Sequence, residues 1–358
     1  MKPNLTGKGG GFLDTVHASI AIVLPYFGKL PNYFPLFLES CRKNPSVDWL
    51  FYTDCDPLPE CPENVKAFRM SFADFRARLQ KAFDFPICLE TPYKLCDFKP
   101  TYGDTLAQDL QGYDFWGHCD CDMIFGDIRK FITPEITGQY DRILNCGHLI
   151  LYRNTPEVCT YYRRQKNIDF QAVLQSPKSH SFDEWPGISG CWRRDGLPCY
   201  GELILDDLRL DVPDFRPVQT LPGGFVGPYH GQPDQARRFS KMKHIGYSWR
   251  NGKLLRHWVQ KGQVLQEETL YVHFQKRKME ICLPQGQYPG EFLMVPNRFL
   301  PYEAPTPALL KRLCPKKLEP KRWRKMALMT AYYELKNLGA ADFSEKSAIL
   351  SYLRSFRK

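Results

Sequence analysis

The chain has 358 residues, of which 43% are hydrophobic, 14% aromatic and 25% charged. This composition is typical of a globular protein and excludes collagen-like, coiled-coil and wholly disordered chains. No run approaches the roughly 20 apolar residues of a membrane-spanning helix, and the first apolar stretch lacks the pattern of a signal peptide. The 13 cysteines have no framework spacing, which favours free thiols in a reducing compartment. We therefore expect a cytoplasmic protein.

The formal net charge is +10, and most of it lies near the C-terminus. Residues 311–358 hold 13 Lys or Arg against four Asp or Glu, which leaves the preceding residues almost neutral. Within this basic tail, residues 320–338 mix cations with aromatic and aliphatic side chains, a composition that suits a helix on the anionic inner face of a membrane. The same apolar stripe could instead pack on the body of the protein. Nucleic acid is not expected as a partner, because no recognised binding motif accompanies the charge.

The first elements of the chain favour an α/β fold. Residues 1–17, which include three consecutive glycines, predict a flexible leader. A strand at residues 19–24, a helix at residues 31–43 and a strand at Val47–Thr53 follow. This βαβ unit favours a mainly parallel sheet whose loops gather at one edge.

The later elements continue this alternation and then change to hairpins. The next predicted elements are a Ser-capped helix at 71–82, strands at 113–118, 140–144 and 149–153, and a helix from about residue 155. Asn251 and Gly252 lie between two apolar segments and predict a hairpin, before a last strand at residues 270–274. The expected linker to the tail is marked by Pro296, Pro301, Pro305 and Pro307. The predicted parts are the leader 1–17, an α/β domain 18–300 and a basic helical tail 301–358.

The most informative segment is YDFWGHCDCDMIFGD at residues 113–127. It places Asp120 and Asp122 after an apolar strand, two positions apart, so both carboxylates face the same side of an extended backbone. Two acids so close repel each other unless a cation lies between them or one is protonated. A divalent cation such as Mn²⁺ or Mg²⁺, completed by substrate phosphates, removes this repulsion. A solvated turn is the alternative, since Asp-x-Asp is a common pattern.

The neighbouring His118, Cys119 and Cys121 raise the alternative of a zinc site. Strand alternation points the two thiols away from the acids, and no second pair of ligands at zinc spacing exists in the sequence. We therefore predict that both cysteines are core residues.

Eight segments spread over residues 19–279 form a wider pattern. They are IVLPYF (22–27), FPLFL (34–38), YTD (52–54), PYKLCDFKP (92–100), YDFWGHCDCD (113–122), GHLILYRN (147–154), FDEW (182–185) and YVHF (271–274). Their order resembles a bacterial family of unknown function, DUF6625, which is related to GT-A glycosyltransferases. The resemblance implies a GT-A-like, Rossmann-related fold with a mixed, mainly parallel sheet flanked by helices. It also implies transfer of a sugar from a nucleotide donor, with a UDP-sugar as the expected donor.

The resemblance gives the residues that follow the first two strands a role in donor binding. Pro25, Tyr26 and Phe27 are expected to line a nucleoside pocket, and Thr53 and Asp54 to bond the base or the ribose. An ordinary strand-ending turn and a cap are the alternatives for these two groups.

The metal and phosphate ligands follow from the same resemblance. Asp120 and Asp122 resemble the metal-binding Asp-x-Asp of GT-A enzymes, and His273 resembles the histidine that many of them add as a further ligand. A packed or solvated histidine is the alternative. Lys276 belongs to a run of cations after His273 that could meet a diphosphate.

The segment at residues 92–100 adds further polar candidates. Lys94 and Lys99 could reach the phosphates, while Asp97 could bond hydroxyl groups of the donor sugar. An exposed surface of alternating charges is the alternative.

The acceptor side is assigned to two segments. Asp183 and Glu184 resemble the acidic pair of some inverting GT-A enzymes, in which one carboxylate accepts the proton of the acceptor hydroxyl. Trp185 could stack on a sugar, and His148 could donate a hydrogen bond to the acceptor. A pair of acids at a helix start is the alternative, and in a retaining enzyme the same acids would only position hydroxyl groups.

These observations together predict a metal-dependent glycosyltransferase that acts on a glycan or lipid-linked acceptor in bacterial surface polysaccharide synthesis, with the basic tail on the membrane surface. A sugar nucleotidyltransferase on a similar fold is one alternative. A non-catalytic nucleotide- or carbohydrate-binding protein is another, although the Asp-x-Asp and the distant histidine argue against it.

Overall fold

The computed structural model describes residues 17–184, 187–202, 204–209, 213–217, 241–284 and 290–315, which form a mixed α/β structure. The strands are β1 Ile20–Tyr26, β2 Val47–Thr53, β3 Val65–Arg69, β4 Phe115–Cys119, β5 Met123–Phe125, β6 Arg142–Cys146, β7 Leu149–Arg153, β8 Cys199–Tyr200, β9 Asp206–Asp207, β10 Lys243–Arg250, β11 Lys253–Gln260, β12 Gln263–Glu268, β13 Tyr271–His273, β14 Glu280–Ile281, β15 Glu291–Val295 and β16 Arg298–Pro301. The α-helices are α1 Phe34–Arg42, α2 Phe72–Gln80, α3 Tyr102–Thr105, α4 Ile128–Phe131, α5 Pro134–Gln139, α6 Pro156–Cys159, α7 Phe170–Gln175, α8 Ile188–Arg194 and α9 Pro307–Leu313, and the 3₁₀ helices are Pro92–Thr101 and Tyr161–Arg164. Within these ranges, every helix is too short or too polar to cross a membrane.

The largest sheet has seven strands in the order β3-β2-β1-β4-β7-β6-β8. Strands β3, β2, β1 and β4 are parallel to one another, whereas β7 runs antiparallel to β4 and β6. The predicted βαβ start and its parallel sheet are confirmed. Because β1, β2 and β4 are parallel, their carboxyl ends and the loops after them meet at the same edge of the sheet. The candidate residues at this edge are Pro25, Tyr26, Phe27, Thr53, Asp54, Asp120 and Asp122.

The second large sheet is built around an antiparallel hairpin, and only its edge strand β14 pairs in parallel, with β16. Its order is β12-β11-β10-β15-β16-β14. Asn251 and Gly252 connect β10 to β11 with φ of 48° and 92°, and Arg250 pairs with Lys253 on either side. The Asn-Gly prediction of a hairpin is therefore confirmed, since a two-residue turn with positive φ at both positions requires residues of this kind.

A small sheet of β5, β13 and β9 joins the Asp-x-Asp segment to the late strands. β13 is antiparallel to β5 and parallel to β9. The indole Nε1 of Trp249 on β10 donates to the main-chain oxygen of Phe125 on β5 at 2.8 Å. The small sheet thereby places the end of β13 beside the loop after β4.

One expectation about the C-terminal part differs from the structure. Pro296 follows β15 in the turn before β16, and Pro301 ends β16, so these prolines belong to a strand pair. Helix α9 packs on the second large sheet, where Leu310 contacts the cluster that includes Val259 and Val295. Residues 1–16 and 316–358, with most of the leader and of the basic tail, lie outside the described residues.

Two helix predictions had different outcomes. Ser71 caps α2, since its hydroxyl accepts from the main-chain nitrogen of Asp74 at 3.0 Å, as predicted. The helix expected from residue 155 is only one turn long and is followed by a 3₁₀ helix. The Ser-x-x-Asp pattern identified the start of α2 because the capping hydrogen bond forms between residues close in sequence. The length of α6 depends instead on packing with the rest of the protein.

Candidate metal and donor site

The two aspartates lie in the turn between β4 and β5. The main-chain nitrogen of Asp120 donates to the main-chain oxygen of His148 at 3.0 Å, and the main-chain oxygen of Asp122 accepts from Phe274 at 2.9 Å. The turn is thus bonded to β7 on one side and to the end of β13 on the other. Asp122 is buried, whereas 36% of the Asp120 side chain is exposed to solvent.

His273 reaches the same turn from the end of β13. Its Nε2 lies 3.3 Å from Oδ1 of Asp122 and 3.8 Å from Oδ2 of Asp120. One ligand atom from each of the three residues lies within 4.8 Å of the others. Two carboxylates and one imidazole are ligand types that divalent cations accept in proteins. The structure therefore brings together the three residues predicted as metal ligands.

The charges of this cluster are strongly coupled. Burial alone would raise the pKa of Asp122, but the charge of His273 and hydrogen bonds from His273 and the main-chain N–H of Lys276 hold that pKa well below its usual value. Burial would lower the pKa of His273, but Asp122 and Asp207 raise it well above its usual value. Binding of a cation through His273 therefore requires the loss of a ring proton.

Lys99 connects the Asp-x-Asp to the candidate base. Its Nζ lies 2.8 Å from Oδ1 of Asp120, 2.7 Å from the main-chain oxygen of Gly147 and 3.2 Å from Oδ2 of Asp183. Burial would lower the pKa of Lys99, but Asp120 and Asp183 raise it well above its usual value. Lys99 is therefore a charged, buried link between two carboxylates. The sequence predicted a phosphate ligand at this position and did not anticipate these bonds.

Asp183 and Glu184 lie against Gly147. A β-carbon on Gly147 would lie 2.7 Å from Oδ2 of Asp183 and 2.8 Å from Cγ of Glu184, so a glycine is required for their approach. Burial raises the pKa of Asp183 to about 7, with Lys99 opposing and Glu184 and Asp120 adding to the rise. Glu184 is exposed, and Trp185 lies outside the described residues.

A cavity of about 550 Å³ opens at the Asp-x-Asp turn. The predicted residues on its wall are Pro25, Tyr26, Phe27, Lys99, Asp120, Asp122 and Lys276. The Nζ of Lys276 lies 4.4 Å from the centre of the Tyr93 ring, and Tyr93 is 61% exposed. The cavity thus combines aromatic walls with ammonium groups and with the metal-type cluster.

Lys94 and Asp97 do not belong to this wall, whereas the sequence predicted that they bind phosphate and sugar. Nζ of Lys94 lies 2.6 Å from Oδ2 of Asp97 and 2.6 Å from the main-chain oxygen of Lys178. Asp97 also accepts from the main-chain nitrogens of His180 and Phe182 at 2.9 Å. This buried pair holds the segment before Asp183 on the 3₁₀ helix.

Thr53 and Asp54 shape the neighbouring loops. Oγ1 of Thr53 accepts from the main-chain nitrogen of Cys55 at 3.2 Å, and Thr53 is buried. Oδ1 of Asp54 accepts from the main-chain nitrogen of Gly28 at 2.8 Å, which fixes the end of the loop after β1. These bonds match the cap that was the alternative to base or ribose binding.

His148 and the two cysteines face the interior. Nδ1 of His148 lies 2.8 Å from the hydroxyl of Tyr271, and burial, with the charge of His273, lowers the pKa of His148 to about 4. His148 is thus a buried, neutral residue, whereas the sequence predicted a donor to the acceptor. Cys119 and Cys121 are buried in the core, as predicted, and burial raises the pKa of both thiols.

Asp207 is a member of the site that sequence reasoning missed. It lies on β9 opposite His273, with its Oδ1 at 2.8 Å from Nδ1 of that ring. The available signal was a pair of adjacent acids, Asp206 and Asp207, within the apolar run LILDDLRL. Such a pair inside an apolar run needs buried partners.

Residues 22–303 match the sequence model of a family of unknown function, DUF6625. The chain belongs to the DUF6625 family. The matched region of this DUF6625 protein includes the Asp-x-Asp turn, His273, Asp207 and the cavity wall, and it ends before α9. No curated protein shows significant similarity to the chain. The family therefore names no reaction, and the residues of the site are what indicate a function.

Proposed function

We propose that this DUF6625 protein is a metal-dependent glycosyltransferase of the GT-A type that uses a nucleotide-sugar donor. The observation that carries the proposal is the convergence of Asp120, Asp122 and His273, with ligand atoms within 4.8 Å of one another, at a cavity of about 550 Å³. The parallel strands β1, β2 and β4 also support a GT-A-like fold, because such sheets bind ligands at the carboxyl ends of their strands.

The cavity suits a nucleoside diphosphate sugar. Its volume lies within the range of about 300–1,000 Å³ typical of small-molecule sites. Tyr26 and Phe27 supply an apolar wall for a nucleoside, while Lys276 supplies positive charge near the aspartates. A divalent cation bound there would neutralise charge on the departing diphosphate.

Asp183 is the candidate general base. In this step the acceptor oxygen bonds to the anomeric carbon, the bond from that carbon to the phosphate oxygen breaks, and the hydroxyl proton passes to Asp183. A carboxylate with a pKa raised by burial to about 7 suits this transfer near neutral pH. Lys99, 3.2 Å away, holds the carboxylate in place.

The acceptor is proposed to be a glycan or a lipid-linked sugar of bacterial surface polysaccharide. The exposed Glu184 lies beside Asp183 and gives this side of the site access to solvent. The proposed role of the basic tail, whose residues 316–358 lie outside the described ones, is contact with anionic lipid at the inner face of the membrane.

The decisive experiment is a panel of nucleotide sugars, with UDP-sugars first, incubated with the full chain and Mn²⁺ or Mg²⁺. The readout is release of nucleoside diphosphate. Asp120→Asn and Asp122→Asn should abolish the release, and Asp84→Asn, which changes an exposed aspartate, should leave it unchanged. Absence of release with every donor, or activity that survives both substitutions, would contradict the proposal.

Two other outcomes would replace the proposed function with one of its alternatives. Consumption of a nucleoside triphosphate with a sugar 1-phosphate would identify a sugar nucleotidyltransferase. Calorimetry that shows sugar or nucleotide binding without a need for a cation and without turnover would identify a binding protein.

A further inference from the structure

The ring of His273 contacts carboxylates through both of its nitrogen atoms. Nε2 lies 3.3 Å from Oδ1 of Asp122 and 3.8 Å from Oδ2 of Asp120. Nδ1 lies 2.8 Å from Oδ1 of Asp207. A neutral imidazole binds a cation through one nitrogen and donates a hydrogen bond through the other. The two nitrogens therefore have different tasks.

Asp207 is fixed on the Nδ1 side by several contacts. Strand β9 pairs with β13, so that Asp207 lies directly opposite His273. Its Oδ1 also accepts from Nε2 of Gln275 at 2.8 Å, and its Oδ2 lies 3.8 Å from Nε2 of His148. The carboxylate is buried, so solvent does not compete for the bond to His273.

We propose that Asp207 is a positioning residue that sets the tautomer and the orientation of His273. By accepting from Nδ1–H, Asp207 keeps the ring proton on that side and leaves Nε2 free for a cation held with Asp120 and Asp122. A carboxylate acceptor also makes Nε2 more basic and therefore a better ligand. The inference rests on the proposed function, because Asp207 would act on a residue of the proposed metal site.

A competing arrangement uses the same side chains as ligands. His148, Asp207 and His273 also offer atoms within 4.8 Å of one another. However, the rings of His148 and His273 are stacked, with centres 4.3 Å apart and planes inclined by only 27°. Imidazole lone pairs lie in the ring plane, so two nearly parallel rings direct them poorly at a common cation. The geometry therefore favours Asp207 as an outer acceptor.

The test is Asp207→Asn in the full chain, with Mn²⁺ binding followed by electron paramagnetic resonance in the absence of any donor. Replacement of such an outer acceptor should weaken binding roughly 10–100-fold, while thermal unfolding checks that the variant is folded. Asp84→Asn is the matched control, since it makes the same chemical change at an exposed aspartate and should leave the affinity unchanged. Long-range ¹H–¹⁵N spectra of the Mg²⁺-loaded protein should show the His273 proton on Nδ1.

The outcomes separate this inference from the proposed function. Unchanged Mn²⁺ affinity in Asp207→Asn would overturn the inference. A His273 proton on Nε2 in the Mg²⁺-loaded wild-type protein would also overturn it, and this measurement remains valid even if the variant does not fold. If His148→Gln lost as much Mn²⁺ affinity as Asp122→Asn, the cation would lie in the competing arrangement, and the inference about Asp207 would be wrong. Cation binding without turnover of any donor would remove the proposed function alone. A wild-type chain that binds no Mn²⁺ would overturn both.

Discussion

The ammonium group of Lys99 lies 2.8 Å from a carboxylate oxygen of Asp120, so the first aspartate of the Asp-x-Asp is already paired. The same ammonium group lies 3.2 Å from Asp183. One positive charge therefore joins a candidate metal ligand to the candidate base. The consequence is that substitutions at these residues are not independent of one another.

Lys99→Met should lower the free energy of unfolding by about 3 kcal/mol, because it leaves two carboxylates without their buried counter-charge. Urea unfolding measures this change. Lys130→Met, which breaks the exposed ion pair with Glu268, is the control and should cost less than about 1 kcal/mol. Equal effects of the two substitutions would show that Lys99 is not a structural link.

The proposed glycosyl-transfer activity should rise with pH up to about 7 and then level off, because Asp183 must lose its proton to act as a base and burial raises its pKa to about 7. The measurement is kcat/KM for the donor at saturating Mn²⁺ between pH 5.5 and pH 8.5, and this ratio should rise about tenfold per pH unit below pH 7. Asp183→Asn should reduce kcat by about 10²–10⁴-fold.

Glu184→Gln serves as the comparison for Asp183→Asn, since the neighbouring Glu184 is exposed. We expect a smaller loss of kcat for this variant. A larger loss for Glu184→Gln than for Asp183→Asn would transfer the role of base to Glu184.

Mn²⁺ affinity should increase with pH between pH 6 and pH 8. The carboxylates of Asp122 and Asp207 hold the pKa of His273 well above its usual value, so a cation must displace a ring proton, and each pH unit below that pKa should weaken binding about tenfold. Isothermal titration calorimetry in buffers of different ionisation enthalpy measures the released proton. In His273→Gln the binding should be weaker, and this proton release should be absent.

Asp97→Asn should lower the free energy of unfolding by about 3–5 kcal/mol, because it breaks a buried ion pair with Lys94. The exposed pair of Arg42 and Glu39 has the same i, i+3 spacing and a similar separation of 3.0 Å. Glu39→Gln is therefore the matched control and should cost less than about 1 kcal/mol. A small effect at Asp97 would mean that the pair does not hold the segment before Asp183.

Removal of residues 316–358 should reduce association with vesicles that contain anionic lipid, because most of the basic tail is lost. Vesicle flotation measures this association. Truncation after Pro315 keeps α9, whose Leu310 packs on the second large sheet. Unchanged flotation would favour the alternative in which the tail packs on the protein body.

The elements that could be predicted from the sequence have a strong local signal. β2 and β7 occupy the predicted residues because each contains four consecutive apolar or aromatic residues, WLFY in β2 and LILY in β7. Asn251 and Gly252 identify their hairpin because few other residues accept positive φ at both turn positions. The apolar strand before Asp120 and Asp122 could likewise be predicted, and it places the two aspartates at the end of a strand in the sheet.

The roles of polar residues within one segment could not be separated. Lys94, Asp97 and Lys99 look equivalent in sequence, but residues three apart share a face of a 3₁₀ helix. Lys94 and Asp97 therefore face the body of the protein, and Lys99 faces the cavity. Asp207 was missed because β9 has only two residues and shows no alternation.

The pairing of the Asp-x-Asp turn with β13 joins residues that are far apart in the chain. The main-chain nitrogen of Lys276 donates a hydrogen bond to Asp122, which lies 154 residues earlier in the chain. Tyr271 shares a hydrogen bond with His148, which lies 123 residues earlier. During synthesis from the N-terminus, the nascent polypeptide therefore exposes its acidic turn long before the imidazole that neutralises it emerges from the ribosome. Assembly of the centre becomes a late event of biogenesis, and acquisition of a cation would report that maturation is finished.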